Sequence, residues 1–564
     1  MSKEKKRLPI GLENFEQIIK ENYYYVDKTG LISELLRNGG MVNLFTRPRR
    51  FGKTLNMSML ERFFSIEGDR SIFEGLEILK DIEMTEEYMG RYPVIFVSLK
   101  GINAATYDRA FDFAVQIMKE VAATMQFLLE SEQLSEYDKT EYQKLLDDSM
   151  SEAVFCSSLK KLSVLLEKHY KTKVILLIDE YDVPLAKAFE NGYYNQMIFL
   201  IRNLLEQALK TNNSLKFAVM TGCMRISKES IFTGLNNLKV LSITDERYDE
   251  YFGFTDTEVK EMLKYYGIES YYKEIKSWYD GYRFGNTEVY CPWDVLNYCD
   301  KIKDHGDSFP ENYWINTSSN DAVKKFLQMS DNIKTKREIE KLLAGEKIIK
   351  EIHQELTYPE MYQSLENVWS LLFMTGYLTQ RGRVDARRYQ LAIPNLEIRD
   401  IFQTQIMESF KESVKKDGTT LGQFCEALKS GEKKKVEDIF TSYLKKTISI
   451  RDTFVRKAAK ENFYHGILLG ILGVKEEWGV FSNQETGEGY SDILIETEDG
   501  DMAILVELKY ANDGNLDQAC ERALKQMEDR KYDEELRENG VNKILKYGIA
   551  CYMKRCKVKL ADLK

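Results

Sequence analysis

Short apolar runs alternate with amphipathic stretches over the first 245 residues of the chain. The runs that predict strands lie at 41–45, 93–99, 174–178, 215–220 and 239–243. Apolar positions recur with helical spacing between them, at 55–64, 105–128, 152–169 and 196–210. Continuous apolar strands separated by helices are typical of a parallel sheet covered on both faces. Residues 1–245 are therefore predicted to form an α/β domain.

The pattern becomes mainly helical after residue 245. The predicted helices of the middle segment, 246–400, lie at 256–265, 270–279, 293–301, 321–328 and 365–374. The stretch 368–382 has the pattern of a helix, then Gly376, then a short strand, which suggests a winged-helix-like unit. Aromatic residues are frequent in this segment, among them Trp278, Trp293 and Trp314. We expect them to belong to the core rather than to a ligand site.

Two further segments follow. Residues 401–454 predict a connector of charged amphipathic helices, and residues 455–564 predict a compact domain. Its elements are a helix near 460, strands at 478–482, 490–496 and 502–509, a helix at 516–530 and a strand at 546–552. The order α-β-β-β-α-β suits a small α/β domain.

Composition restricts the function classes. With 43% hydrophobic and 30% charged residues, the 564-residue chain is ordinary for a globular protein. It has no apolar stretch near the ~20 residues of a membrane span and no apolar core behind its basic N-terminus, so neither a membrane protein nor a signal peptide is expected. Eight scattered cysteines without a C-x-x-C pair make a zinc site or disulfide framework unexpected and favour the cytoplasm.

The net charge of −10 means that a nucleic-acid site would need a local basic surface. The candidates are Lys433 to Lys435, the group of Lys525, Arg530 and Lys531, and the tail from Lys554. The alternative for each is a solvated helix face or tail.

The first candidate site follows the apolar run 41–45, where the sequence TRPRRFGKT ends in Gly52, Lys53 and Thr54. A strand leading through such a loop into a helix presents backbone N–H groups to phosphate. Lys53 would neutralise the β- and γ-phosphates and Thr54 would bind Mg²⁺, with Arg50 and Gly52 as further nucleotide-binding positions. Arg47 stands where the pattern G-x-x-x-x-G-K-[ST] has glycine, so the start of the loop must differ from the usual form. The alternative is a basic turn before a helix.

A second part of the same site is predicted after the strand at 174–178. Asp179 would hold Mg²⁺ through a water molecule, and Glu180 would polarise the attacking water. Thr221, at the end of the next strand, is a candidate for sensing the γ-phosphate. Arg225 is a weaker candidate for stabilising transition-state charge. An acidic turn without a ligand and, for Arg225, a surface ion pair are the alternatives.

The second candidate site combines Asp492 with Glu507 and Lys509. Residues two apart on a strand share a face, so Glu507 and Lys509 point together while Leu508 points into the core. A hairpin turning near 498–501 would bring Asp492 close to them. Carboxylates holding Mg²⁺ beside a lysine suit phosphodiester cleavage. Charged residues on an exposed hairpin face are the alternative.

Several motifs carry a family resemblance: LPIGLENF, YYYVDKTG (23–30), RPRRFGKT (47–54), LLIDEYDVP (176–184), TGCMRISKESIFTGLNN (221–237) and WYDGYRFG (278–285). They resemble the bacterial AAA-ATPase-like proteins that carry a C-terminal PD-(D/E)XK nuclease-superfamily domain. The resemblance implies ATP binding, a P-loop fold of the additional-strand type and a restriction-endonuclease-like fold for 455–564. It also makes RPRRFGKT that family's own form of the loop and places 23–30 near the nucleotide base.

In the C-terminal domain the resemblance implies roles for flanking residues. Glu461 sits where the superfamily often has a further acidic metal ligand. Gln526, followed by Tyr532, resembles the superfamily's helical glutamine. Tyr490 stands where relatives often have arginine, which departs from the pattern.

These observations give a leading hypothesis: an ATP-binding, hydrolysing protein whose nucleotide state controls a Mg²⁺-dependent nuclease acting on DNA or RNA. One alternative is a nucleotide-switched binding module with an inert nuclease-like domain, as in mobile-element or defence systems. Another is an active nuclease with an inactive loop. Assembly of several copies would follow if Arg225 acted across subunits.

Overall fold

The computed structural model describes residues 5–210, 212–225, 237–304, 308–314, 321–330, 332–446, 457–475, 477–486, 489–497 and 502–561. Its contacts divide the chain into two compact units. The first unit is Met1–Ser319 with Ile349–Ile398, and the second is Asn320–Ile348 with Arg399–Lys564. The finer division at 245, 400 and 454 stays a prediction. No helix in the described part of the chain is long and apolar enough to cross a bilayer.

Within the described ranges the strands form four sheets. In chain order they are β1 Val42–Thr46, β2 Val94–Ser98, β3 Val174–Asp179, β4 Leu215–Gly222, β5 Leu238–Leu241, β6 Phe254–Thr255, β7 Tyr282–Phe284, β8 Thr287–Tyr290, β9 Ile348–Glu351, β10 Thr379–Arg383, β11 Arg388–Ala392, β12 Gly479–Thr486, β13 Gly489–Glu496, β14 Met502–Tyr510, β15 Lys543–Tyr552 and β16 Arg555–Leu560. The two larger sheets carry the candidate sites.

The α-helices lie between and around these strands. In chain order they are α1 Phe15–Lys20, α2 Gly30–Asn38, α3 Lys53–Phe64, α4 Ile82–Tyr88, α5 Tyr107–Ala123, α6 Glu136–Gln143, α7 Glu152–Tyr170, α8 Val183–Glu190, α9 Tyr194–Leu209, α10 Asp256–Tyr266, α11 Tyr272–Tyr279, α12 Pro292–Asp304, α13 Asp321–Met329, α14 Ile333–Leu343, α15 Tyr358–Met361, α16 Leu365–Met374, α17 Leu396–Lys416, α18 Gly418–Ser430, α19 Lys433–Lys446, α20 Lys457–Leu472, α21 Leu516–Asp529 and α22 Glu534–Glu538.

The large sheet of the first unit is parallel throughout, in the order β2-β3-β4-β1-β5. Strand β4 lies between β1 and β3, which is the additional-strand arrangement, so the predicted fold class is confirmed. Strands β1 and β3 are buried along their whole length because helices cover both faces, which explains their uninterrupted apolar sequence. All five strands run the same way, so β1, β3 and β4 end at one edge.

The middle of the first unit agrees with its predicted elements. Helix α16 coincides with the predicted 365–374, Gly376 follows it with φ +92°, and β10 comes next. The small sheets have the orders β6-β8-β7 and β10-β11-β9. The winged-helix-like assignment itself stays a prediction. Trp314 is buried, as expected of a core residue, whereas Trp293 is only half-buried and lines a cavity described below.

The second unit has the mixed sheet β12-β13-β14-β15-β16, in which only β14 and β15 are parallel. The crossover between those two contains α21, whose apolar face packs on both. The predicted α-β-β-β-α-β order is present and is extended by α22 and β16. Helices α17 to α20 share one apolar core with this sheet, so the predicted connector belongs to the same packed body.

Candidate nucleotide and metal sites

Side chains from three elements meet at the carboxyl-end edge of the parallel sheet. Thr54, at the start of α3, donates from Oγ1 to Asp179 Oδ2 at 2.8 Å. Thr221 Oγ1, near the end of β4, donates to the other oxygen, Asp179 Oδ1. Asp179 is fully buried, and oxygen donors of this kind are those that Mg²⁺ prefers. The predicted residues Thr54, Asp179 and Thr221 are therefore brought together, in a donor set that fits magnesium.

The loop before α3 has the geometry of an anion site. Gly52 adopts φ +76° at the N-cap of α3, a left-handed conformation that favours glycine. The first N–H groups of the 12-residue helix have no intrahelical acceptor, so they are free to meet phosphate. Lys53 is buried and donates from Nζ to the loop carbonyls of Arg47, at 3.1 Å, and Pro48, at 3.0 Å.

The structure explains how Arg47 is accommodated at the position where the usual loop pattern has glycine. Its side chain is completely buried, and its guanidinium donates to the carbonyls of Thr46, Leu241 and Tyr248 at 3.0, 2.8 and 3.2 Å. Burial lowers the pKa of Arg47 to about 10. The left-handed backbone of this loop falls instead at Arg50, with φ +73°, and at Gly52. Arg47 thus fixes the start of the loop rather than facing its cavity.

Aromatic rings from residues after 245 also pack against the side chains of the loop. The guanidinium of Arg47 lies 5.0 Å from the ring of Phe252 and 5.4 Å from that of Phe284. The ring of Phe51 is 5.0 Å from both Tyr282 and Phe284. The guanidinium of Arg50 lies 4.2 Å from the ring of Trp293. In the usual loop, glycine allows the backbone to adopt the required conformation, whereas here contacts with aromatic rings hold the loop in place.

Glu180 follows Asp179 and lines the cavity described below. Its backbone has φ +51°, and its N–H donates to Thr221 Oγ1 at 3.2 Å. A non-glycine residue in this region is uncommon and is often functional. Burial raises the pKa of the Glu180 carboxyl; the charges of Asp179 and Asp182 raise it further and Lys53 opposes them. The predicted water-polarising residue is thus held at the edge of the phosphate site.

Asp182 is a residue of this site that the sequence interpretation did not assign. It is buried, and its Oδ2 accepts from the N–H groups of Cys223 at 2.9 Å and Met224 at 3.1 Å, just after β4. Its Oδ1 is buried with no hydrogen-bond partner. Burial raises the pKa of Asp182. The carboxyl ties the turn after Thr221 to the segment that carries Glu180; the signal in the sequence is the fourth residue of Asp-Glu-Tyr-Asp.

Arg225 is placed elsewhere. Its Nη1 lies 2.6 Å from Glu355 Oε1, and the two backbones form a parallel bridge. It borders a small separate pocket with Thr46 and Cys223 and does not line the main cavity. The ion pair, which was the alternative for Arg225, is therefore present in the structure, and a role in stabilising transition-state charge stays a prediction.

A cavity of about 470 Å³ extends from the loop. Its lining comes from 9–13, 24–28, 49–56, 251–254 and 292–296, together with Lys100, Glu180 and Val183. It therefore includes the predicted Arg50, Gly52, Lys53 and Thr54, and the segment expected near a base. The contributions of 251–254 and 292–296 were missed, because nothing in their sequence signals that they fold against the loop.

The second candidate site lies on the sheet of the second unit. Glu507 is buried on β14, and its Oε1 accepts from Lys509 Nζ at 2.7 Å, as the shared strand face predicts. Asp492, on the neighbouring β13, accepts from the N–H of Leu508 through Oδ2 at 2.7 Å. Leu508 points into the apolar core. The three predicted residues therefore lie together, although the expected turn at 498–501 lies outside the described residues.

The electrostatics of this pair suit a cation. Burial, and then the charge of Asp492, raise the pKa of Glu507 to about 7, against the opposing effect of Lys509. Burial works to lower the pKa of Lys509, but Glu507 and then Asp492 and Glu461 raise it overall. Glu507 Oε2 is buried without a hydrogen-bond partner. An unpaired buried carboxylate oxygen beside a second carboxylate fits a divalent metal ion.

Flanking residues support the pair. Glu461 on α20 accepts through Oε1 from the N–H of Tyr510 at 3.1 Å. His465 has Nε2 2.8 Å from the backbone carbonyl of Asp492; since a carbonyl only accepts, that nitrogen donates. Gln526 Nε2 donates to Tyr532 Oη at 3.2 Å, so these two side chains lie together. The side chain of Tyr490 lies outside the described residues.

No group of three or more His, Cys, Asp or Glu side chains in the described ranges is gathered as a ready metal site. At the candidate basic surfaces, several cations have carboxylate partners. Lys434 Nζ lies 2.8 Å from Glu437, Lys531 lies 2.9 Å from Glu534, and Lys554 lies 2.9 Å from Glu340. These pairs reduce the local positive charge, as expected of solvated helix faces.

Comparisons with known proteins agree with this geometry. Residues 9–232 match the family model described as "Predicted AAA-ATPase", and residues 459–560 match that of the PD-(D/E)XK nuclease superfamily. The chain is also similar to a protein of Azotobacter chroococcum mcd 1 described as "Uncharacterized protein in vnfD 5'region". The two are 25% identical over 460 residues, which covers 78% of this chain and 77% of that protein. The chain thus combines an AAA-ATPase-like domain with a nuclease-superfamily domain.

Proposed function

We propose that the first unit binds and hydrolyses ATP and that its nucleotide state controls a nuclease in the second unit. The observation that carries the first half is the contact of Thr54 and Thr221 with the two oxygens of Asp179, where parallel strands end. A hydroxyl from the loop helix beside a carboxylate from β3 is the donor pair expected at the Mg²⁺ of a P-loop site.

Each residue has a distinct role in the proposed hydrolysis. Lys53 would leave the carbonyls of Arg47 and Pro48 for the β- and γ-phosphates. Thr54 and Asp179 would hold Mg²⁺, which supplies charge neutralisation at the phosphates when bound. Glu180 would accept a proton from the attacking water, and Thr221 would report the γ-phosphate by exchanging its contact with Asp179.

Three variants test the ATPase half. Lys53→Ala should lose most ATP affinity, measured by isothermal titration calorimetry. Glu180→Gln should keep ATP affinity but lower kcat about 10²- to 10⁴-fold, the usual contribution of a general base. Glu190→Gln, at the exposed end of α8, is the matched control and should leave both unchanged. Normal turnover in Lys53→Ala would refute the assignment.

The nuclease half rests on Asp492, Glu507 and Lys509. The two carboxylates would hold Mg²⁺, which supplies Lewis-acid activation and charge relief when bound. Lys509 would orient a water or take its proton beside the scissile phosphate. Glu461 and His465 would hold the ends of the adjoining segments through their backbone contacts. The substrate would be DNA or RNA.

The decisive assay measures cleavage of single- and double-stranded DNA and RNA, with Mg²⁺ or Mn²⁺, with and without ATP. Asp492→Ala and Lys509→Met should abolish cleavage, whereas the control Glu521→Gln, on the exposed face of α21, should not. Lys53→Ala should remove any effect of ATP while leaving the metal site intact. If the wild type leaves all substrates uncut in every condition, the nuclease proposal is wrong.

A nucleotide-switched binding module is the second candidate. The ion pair between Lys509 and Glu507 favours it, because a satisfied pair can persist without a metal. Titration of Mn²⁺ into the wild type and Asp492→Ala separates the two candidates. Metal affinity that depends on Asp492 supports the nuclease, and equal weak binding supports the module.

A further inference from the structure

Arg50 and Trp293 form a contact inside the nucleotide cavity that the proposed chemistry does not use. The guanidinium of Arg50 lies 4.2 Å from the indole ring, and both residues line the cavity. Trp293 is in the first turn of α12, and its ring nitrogen is buried without a hydrogen-bond partner. The neighbouring Cys291 contacts the carbonyl of Arg50 across 3.7 Å between sulfur and oxygen. Trp293 lies outside residues 9–232, which match the ATPase family.

The position of Arg50 is suited to exchange. Within the described part of the chain, no carboxylate lies within ion-pair distance of Arg50 or of Lys53, so the loop carries two cations without an anionic partner. A guanidinium over an indole is held by about 0.5–2 kcal/mol, less than a charge-assisted, bidentate contact with phosphate provides. A triphosphate in the loop would therefore compete successfully for Arg50.

The rest of the cavity lining indicates what replaces the guanidinium. Lys28 already donates to Glu258 and to the carbonyl of Glu250, and Asn56 donates to the carbonyl of Tyr251. These two polar side chains of the lining are therefore already engaged, whereas an aromatic face can hold a flat base by stacking. Trp293 offers the face that Arg50 would vacate.

We propose that a nucleoside triphosphate takes Arg50 from Trp293 and stacks its base on the exposed indole. This inference rests on the proposed nucleotide binding and adds the residue that recognises the nucleoside. Arg50 serves the phosphates, while Trp293 serves the base. Nucleotide binding would thereby change the contacts of α12, a helix far from the loop in sequence.

Affinities for ATP and inorganic tripolyphosphate, each with Mg²⁺, separate the two contacts. Base–aromatic stacking contributes about 1–3 kcal/mol, so Trp293→Ala should lower the affinity for ATP about 5- to 150-fold. The same variant should keep its affinity for tripolyphosphate within about twofold of the wild-type value, because Arg50 remains. Arg50→Ala should lower the affinity for both ligands. Trp278→Ala, a half-buried tryptophan on α11 outside the cavity, is the matched control and should weaken neither.

Tryptophan emission gives a second readout that uses the conservative Trp293→Phe. ATP should change the emission of the wild type and of Trp278→Phe but not that of Trp293→Phe. Unchanged ATP affinity in Trp293→Ala, or an equal loss for ATP and tripolyphosphate, would overturn the inference while leaving the ATPase proposal intact. A wild type that binds neither ligand would remove both proposals.

Discussion

Replacing Arg47 by methionine should destabilise the first unit strongly, because this side chain is structural. Methionine keeps most of the apolar volume between Phe252 and Phe284 but leaves the carbonyls of Thr46, Leu241 and Tyr248 without their donor. These three bonds measure 2.8–3.2 Å. Hydrogen bonds to charged groups contribute about 1.5–3 kcal/mol each, so their sum is about 5–9 kcal/mol.

The cost of burying the guanidinium offsets part of that sum. The lowering of the Arg47 pKa to about 10 by burial corresponds to about 3 kcal/mol against the charged form. The difference leaves a loss of about 2–6 kcal/mol in the free energy of unfolding for Arg47→Met. Arg47→Lys should recover less than half of it, because an ammonium cannot reproduce the planar fork that serves three carbonyls.

Urea unfolding followed by circular dichroism measures this loss, with Arg49→Met, an exposed neighbour, as the control. The glycine that the loop pattern requires at position 47 should not help, so Arg47→Gly should be no more stable than Arg47→Met. A variant that unfolds at the wild-type urea concentration yet no longer binds ATP would show that Arg47 contacts the phosphates. The structural argument would then be wrong.

Three further changes test other parts of the structure. In Gly222→Ala the new Cβ would lie 2.6 Å from the ring of Tyr181, so we expect about 1–3 kcal/mol of destabilisation by thermal unfolding. Asp294 and Glu397 are fully buried, and burial raises the pKa of both carboxyls above their unfolded values. The folded state then holds the extra protons, so stability falls as pH rises above about 4, by up to about 1.4 kcal/mol per pH unit for each group. Between pH 4 and pH 7, Asp294→Asn should therefore lose less stability than the wild type, as measured by thermal unfolding. Glu461→Gln keeps a hydrogen-bond acceptor, so Mn²⁺ affinity within about threefold of the wild type supports a positioning role, and a tenfold loss would indicate a direct ligand.

The sequence predicted the parts of the fold that local pattern controls. The buried parallel strands have uninterrupted apolar runs, and the residues after them must meet at one edge of the sheet. This is why Asp179 and Thr221 could be placed beside the loop. Strand periodicity placed Glu507 and Lys509 on one face for the same reason.

The residues that sequence reasoning missed depend on contacts between distant segments. Asp182 binds backbone N–H groups about forty positions later, at Cys223 and Met224. Trp293 was expected in the core, because a tryptophan in a helical pattern gives no sign of the cavity beside it. The ion pair of Arg225 could not be predicted for a similar reason: its partner, Glu355, is 130 positions away along the chain.

The unusual loop and its support are best understood together. A glycine-rich phosphate loop relies on backbone freedom, but here Arg47, Phe51 and Arg50 hold the backbone through side chains packed on residues from 241 to 293. Such a loop is fixed only when that later segment is folded against it. Residues 1–245 therefore contain the residues proposed for ATP hydrolysis, whereas much of the packing that holds the loop comes from residues beyond 245. The same packing gives the nucleotide a way to act on α12, because the side chain that would move toward the phosphates is one of its contacts.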